Sequence, residues 1–150
     1  MTSNRKIISA VAAVGLLLAV LWYFSQGPRT IVDGGYTYQN ASDDLVRLEL
    51  IQPGNLVLRQ FTVTGEARGM WYFEGSFPVE VLGKDGKVIA QAPASAITDW
   101  MTEEFVPFRV TLDVGSYSGP ATLVLKRDNP SSLPENDASL SVPIEVFDAQ

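Results

Sequence analysis

Between Val46 and Val146 the apolar side chains recur at every second position in short runs, and each run ends in a cluster of Gly, Pro, Asn, Asp or Ser. A helix needs a period near 3.6, and nothing in this region sustains one, so the chain is restricted to short strands buried on one face. Seven runs fit the pattern: Val46 to Leu50, Val57 to Thr64, Phe77 to Val81, Val88 to Gln91, Phe105 to Val114, Ala121 to Arg127, and Leu140 to Val146. Gly83-Lys84-Asp85-Gly86-Lys87 carries an Asp-Gly turn that makes the third and fourth runs a hairpin. Pro78 implies an edge or a strand start, and the weakly patterned Pro93 to Thr98 reads as an irregular edge.

Seven strands at this spacing give an all-β fold, an immunoglobulin-like antiparallel β-sandwich, with a small barrel as the alternative. About 105 residues are enough for one such core without a disulfide.

The other constraint lies at the N-terminus. Ile7 to Phe24 is uncharged, preceded by Arg5 and Lys6 and closed by Trp22 and Tyr23. That is the pattern of a transmembrane helix with an interfacial aromatic pair, and no small-residue cleavage site follows it. The segment is apolar on every side, which argues against a buried core helix. The expected organisation is therefore a cytoplasmic N-terminus and signal anchor over residues 1–27, a flexible linker over 28–44, and an extracytoplasmic sandwich over 45–150.

The 150 residues include neither Cys nor His. Disulfides, thiolate metal sites, cysteine nucleophiles, His-based metal hydrolysis and the usual serine triads are thereby excluded. Removing Arg5 and Lys6 from the net charge of −6 leaves −8 on the remainder, which repels nucleic acid. Asp128, Asn129, Glu135, Asn136 and Asp137 supply oxygen ligands, but their spacing is not that of an EF-hand, and Asx turns explain them without a metal. No metal and no cofactor are expected.

One stretch exceeds what an alternating core requires. Thr64 to Pro78 holds Gly65, Gly69 and Gly75 around the consecutive Met70, Trp71, Tyr72 and Phe73. In a strand these side chains alternate, so one of the pairs Trp71/Phe73 and Met70/Tyr72 enters the core while the other is exposed. Trp71 and Trp100 are expected in the core, and Tyr72 as the exposed contact. Arg68 and Glu74 bracket the run and are expected to form an ion pair beneath it. The candidate partner-binding set is Met70, Trp71, Tyr72, Phe73, Trp100, Asn129 and Asn136.

Three motifs stand in order: Val63 to Val79, then Trp100-Met-Thr-Glu-Glu-Phe-Val-Pro-Phe108 after Asp85-Gly86, then Leu125-Lys-Arg-Asp-Asn-Pro-Ser-Ser-Leu-Pro-Glu-Asn-Asp-Ala-Ser139. Together they resemble the bacterial spore-germination-associated immunoglobulin-like domain family (Gmad2 type) over roughly Val46 to Phe147. The resemblance implies an extracytoplasmic module with a binding or assembly role and no catalytic residue. The expected function is a membrane-anchored, non-enzymatic module that recognises an envelope protein or a cell-wall polymer. The alternatives are a self-associating structural subunit and a carboxylate-based wall-modifying enzyme.

Overall fold

Each of the seven alternating runs contributes a strand to the computed structural model, which describes residues 27–148. The strands are β1 (Thr30–Asp33), β2 (Tyr36–Gln39), β3 (Val46–Leu48), β4 (Asn55–Leu58), β5 (Gln60–Arg68), β6 (Ser76–Gly83), β7 (Val88–Ala96), β8 (Phe105–Asp113), β9 (Gly119–Lys126) and β10 (Ser139–Phe147). Hydrogen bonding runs in the order β1-β2-β10-β9-β6-β7-β8-β5-β3, with β4 also beside β10. These pairings are antiparallel except the parallel β4–β10 pair.

The ladder closes over itself through β7. That strand pairs with β6 from Ser95 back to Val88, but meets β8 only at Ser95↔Arg109 and Ala96↔Phe108. One layer turns Val79, Val81, Leu123, Leu125, Leu140 and Val142 inward, and the other turns Val63, Ala67, Phe108, Val110 and Leu112 towards the same core. Phe77 of β6 and Phe108 of β8 meet edge to face across the layers, with centroids 5.0 Å apart. Burial of one such side chain contributes about 1.5–3 kcal/mol, so the alternating pattern is the main source of stability.

The first run stops short at Leu48 and leaves Leu50 exposed, and three larger departures from the sequence reading shape the architecture. The run Val57 to Thr64 is broken at Arg59, because β4 lies along β10 in one layer while β5 lies along β8 in the other. Arg59 holds this crossover through Asp148 at 3.0 Å and the Ser116 carbonyl at 3.3 Å. Pro93 to Ala96, expected to be irregular, completes β7. The small Ala94 is fully buried there, and Pro93 sits opposite Pro78, so two residues without an N–H share one position of the ladder.

The third departure is the segment 28–44, which is not a linker. It forms the β1–β2 hairpin, and β2 extends the edge of β10 through Gln39↔Ser139 and Tyr38↔Leu140. Tyr38 and Ala41 are buried, and the Tyr36 hydroxyl donates to the Ile51 carbonyl at 2.9 Å. The turn residues around a four-residue strand hid its alternation. The expected anchor, Ile7 to Phe24, lies outside the described residues; among the described residues no helix is long and apolar enough to cross a membrane.

Removal of the hairpin therefore exposes core. A chain beginning at Leu45 is expected to melt several degrees below one beginning at Gly27, since loss of the buried Tyr38 alone costs about 1.5–3 kcal/mol. Equal melting temperatures in a thermal denaturation series would show that the hairpin is no part of the folding unit.

Candidate interaction surface

The strand registers bring four loops to one end of the sandwich. β5, β7 and β9 run up to it and β3, β6, β8 and β10 run away from it, so residues 40–45, 69–75, 97–104 and 127–138 share this end, and the chain reaches β1 there through residues 27–29.

Its centre is the aromatic run. After β5 the chain makes a 3₁₀ turn over Gly69–Trp71, closed by the Tyr72 N–H donating to the Gly69 carbonyl at 3.1 Å. Phe73 and Ser76 then exchange backbone hydrogen bonds of 2.9 and 3.1 Å around Glu74 and Gly75, whose φ angles are +51° and +78°. Positive φ at both central residues is what the tightest two-residue hairpin demands, and Gly75 supplies one of them without strain.

A helical turn removes the alternation on which the sequence reading relied. Trp71 and Tyr72 both point inward, at 0% and 5% exposure, while Met70 and Phe73 both point outward, at 61% and 46%. Tyr72 is thus a core residue and not the exposed contact. Its ring meets Phe77 at 5.1 Å, and its hydroxyl donates to the Val106 carbonyl at 2.7 Å. Burial pushes the phenol far above its usual value, so the hydroxyl stays protonated and keeps donating. Trp71 meets Phe77 edge-on at 6.4 Å, and its carbonyl accepts from the Asp128 N–H at 3.1 Å, which ties the loop 127–138 to the turn.

The loop 97–104 packs against the same turn. A side chain at Gly69 would come within 1.9 Å of the Thr102 carbonyl and 2.4 Å of the Trp100 carbonyl, so only glycine admits this approach. Trp100, expected in the core, is only partly buried and packs against it, with its ring beside Gly75. Beside it Met101 is 76% exposed and Ile97 55%. The alternation gives no sign of these two; an Asx turn of Asp99 onto the Met101 N–H, 3.0 Å, holds the backbone at Met101.

The expected Arg68–Glu74 ion pair does not form. Arg68 instead lies 3.6 Å from Glu104, donates to the carbonyls of Asp44 and Glu103 at 3.0 and 3.3 Å, and stacks over Phe105 at 4.1 Å. The left-handed turn takes Glu74 into the next hairpin and away from the end of β5. Asn129 and Asn136 serve their own loop: Asn129 donates to Leu133 and Asp137 at 2.9 and 2.7 Å, and Asn136 to Ser131 at 2.9 Å. Of the candidate set, Met70, Phe73 and part of Trp100 are thus free for contact, while Trp71 and Tyr72 support them.

Among the described residues no three carboxylates converge closely enough to hold a metal ion. The family described as the immunoglobulin-like domain of bacterial spore germination, Gmad2, matches residues 51–132, which covers β4 to β9 and all of the aromatic run. No curated protein and no solved structure matches the chain.

Tyr72→Ala is expected to cost about 3–5 kcal/mol, as much as Trp71→Ala, because both create a cavity at the same layer. Tyr72→Phe is expected to cost about 1–3 kcal/mol by stranding the Val106 carbonyl. Above pH 10, the ordinary phenol value, the unfolded chain gives up the Tyr72 proton while the folded chain retains it, so stability falls as pH rises. Denaturant titrations at alkaline pH should find this loss shallower in Tyr72→Phe; an identical slope would show that Tyr72 is not the buried group.

Proposed function

The chain belongs to the family of the immunoglobulin-like domain of bacterial spore germination, and from that footing we propose that it is a membrane-anchored, extracytoplasmic binding module of the bacterial envelope. The observation that carries this reading is the exposure of Met70 and Phe73 on either side of the buried Trp71 and Tyr72, with Met101 exposed at the same end on backbone held by Asp99. Large apolar groups on a pre-ordered support lose little entropy when covered, which is the character of an interface hot spot.

An envelope protein is the partner this surface fits, because exposed thioether and phenyl groups grip side chains better than sugar hydroxyls. The uncharged segment Ile7 to Phe24 behind Arg5 and Lys6 supports the anchor, with the domain outside. Only five residues separate Phe24 from Thr30, a reach of about 20 Å at full extension, and the chain joins the sandwich at the end that carries the apolar residues. The interaction surface is therefore held close to the membrane, where neighbouring membrane proteins present their extracytoplasmic segments. Catalysis forms no part of the proposal: His and Cys are absent from the sequence, and the family is an immunoglobulin-like domain family. A role in germination or sporulation is the physiological setting that the family description favours.

A photo-crosslinking amino acid placed at position 73 in living cells should capture a neighbouring envelope protein, and one placed at the exposed Arg109 of β8 should not. The double change Phe73→Ala with Met101→Ala should reduce that capture while shifting stability by no more than about 0.5 kcal/mol. Protease added to spheroplasts should reach the domain. Crosslinks to lipid alone, or none, would remove the binding-module reading, and full protection from protease would reverse the topology.

A further inference from the structure

The charge of the described chain is distributed unevenly along the sandwich. The segments that form the end described above, residues 27–29, 40–45, 69–75, 97–104 and 127–138, contain nine carboxylates against Arg29 and Arg127, a net charge of −7. The opposite end, Arg59 with the loops 84–87 and 114–118 and Asp148, contains three cations and two carboxylates. Almost the whole charge of −8 carried outside the N-terminal segment is thus gathered around the exposed Met70, Phe73 and Met101. The cations that border this end are engaged: Arg68 with Glu104 at 3.6 Å, and Lys126 with Glu80 at 2.7 Å.

From this juxtaposition we infer that the partner is a protein segment that presents lysine or arginine around apolar side chains. The inference rests on the binding-module reading and specifies the chemistry of its partner. The apolar residues supply the contact that a purely ionic patch lacks, and the acidic rim selects the sign of what surrounds it. The same charge counts against other occupants. A second copy would bring another net −7 against this one, and an anionic wall polymer or anionic lipid head group would meet like charge. Because the carboxylates do not converge on a point, they act as a field over the rim and not as a cation site.

The test uses the full chain in zwitterionic phosphatidylcholine nanodiscs, with empty nanodiscs as the blank. Three synthetic peptides serve as probes: one alternating lysine with leucine, its glutamate–leucine counterpart, and a lysine–serine peptide. The lysine–leucine peptide should bind, and should weaken about tenfold between roughly 50 and 300 mM salt. Both other peptides should bind at least about tenfold more weakly. Glu74→Gln with Glu103→Gln should weaken the lysine–leucine peptide about fivefold at unchanged melting temperature. Equal binding of the glutamate–leucine peptide, or indifference to the two glutamine changes, would overturn the inference.

In cells, Glu74→Lys with Glu103→Lys should abolish protein capture from position 73. Capture that survives this reversal overturns the cationic partner but leaves a binding module standing. Capture of a second copy also overturns the inference. Absence of protein capture in the unaltered chain overturns the binding module and the inference with it.

Discussion

The placement of two consecutive aromatic side chains in one core decides the form of this molecule. Trp71 and Tyr72 flank Phe77, which in turn meets Phe108 of the opposite layer, so one contact group joins β6, β8 and the connection between β5 and β6. A strand cannot send neighbours to the same side, and the backbone therefore takes a 3₁₀ turn there. Once that turn exists, Met70 within it and Phe73 after it point outward. The exposed residues are the geometric consequence of the buried ones, which links the packing of the fold to its candidate surface.

Two glycines make the arrangement possible through closeness and not through unusual torsion. At Gly65 a Cβ would lie 2.2 Å from the Arg47 carbonyl and 2.7 Å from the Phe108 ring, so its absence lets the Phe108 ring approach β5 closely. At Gly69 the missing side chain admits the carbonyls of Trp100 and Thr102. Gly75, by contrast, is needed for its positive φ. Composition alone does not separate these two uses, because all three stand in the same aromatic stretch.

That difference marks the boundary of what the sequence disclosed. Strand positions were legible wherever one face is buried, because a period of two is imposed by the pleat itself: Val63, Val79, Leu123 and Leu140 all point inward as their runs require. The family was legible as well, since its motifs are ordered residues and not averages. What failed was whatever depends on a partner distant in sequence. The hairpin of β1 and β2 is stabilised by β10, about a hundred residues away, and its own four-residue strands carry too few alternations to declare themselves. Arg68 and Glu74 are near in sequence and opposite in charge, yet Arg68 is oriented by Phe105, Asp44 and Glu104 from three other segments. Tyr72 looked amphipathic, and the Val106 carbonyl that satisfies its hydroxyl lies on another strand.

Charge follows the same logic at a larger scale. Along the sequence the nine carboxylates of the loop-bearing end are scattered from Asp43 to Asp137, and the composition reads as ordinary acidity. Antiparallel connection gathers every second loop at one end, so a chain whose alternate loops are acidic becomes a polar molecule when it folds. Self-repulsion among these groups opposes folding, and nothing in the core requires them: the stack around Phe77 involves none of their side chains. The chain also joins the sandwich at this end, where residues 27–29 lead into β1 beside Asn40. A domain that gathers like charge around exposed apolar residues disfavours covering them with another acidic surface, which selects the sign of whatever packs there.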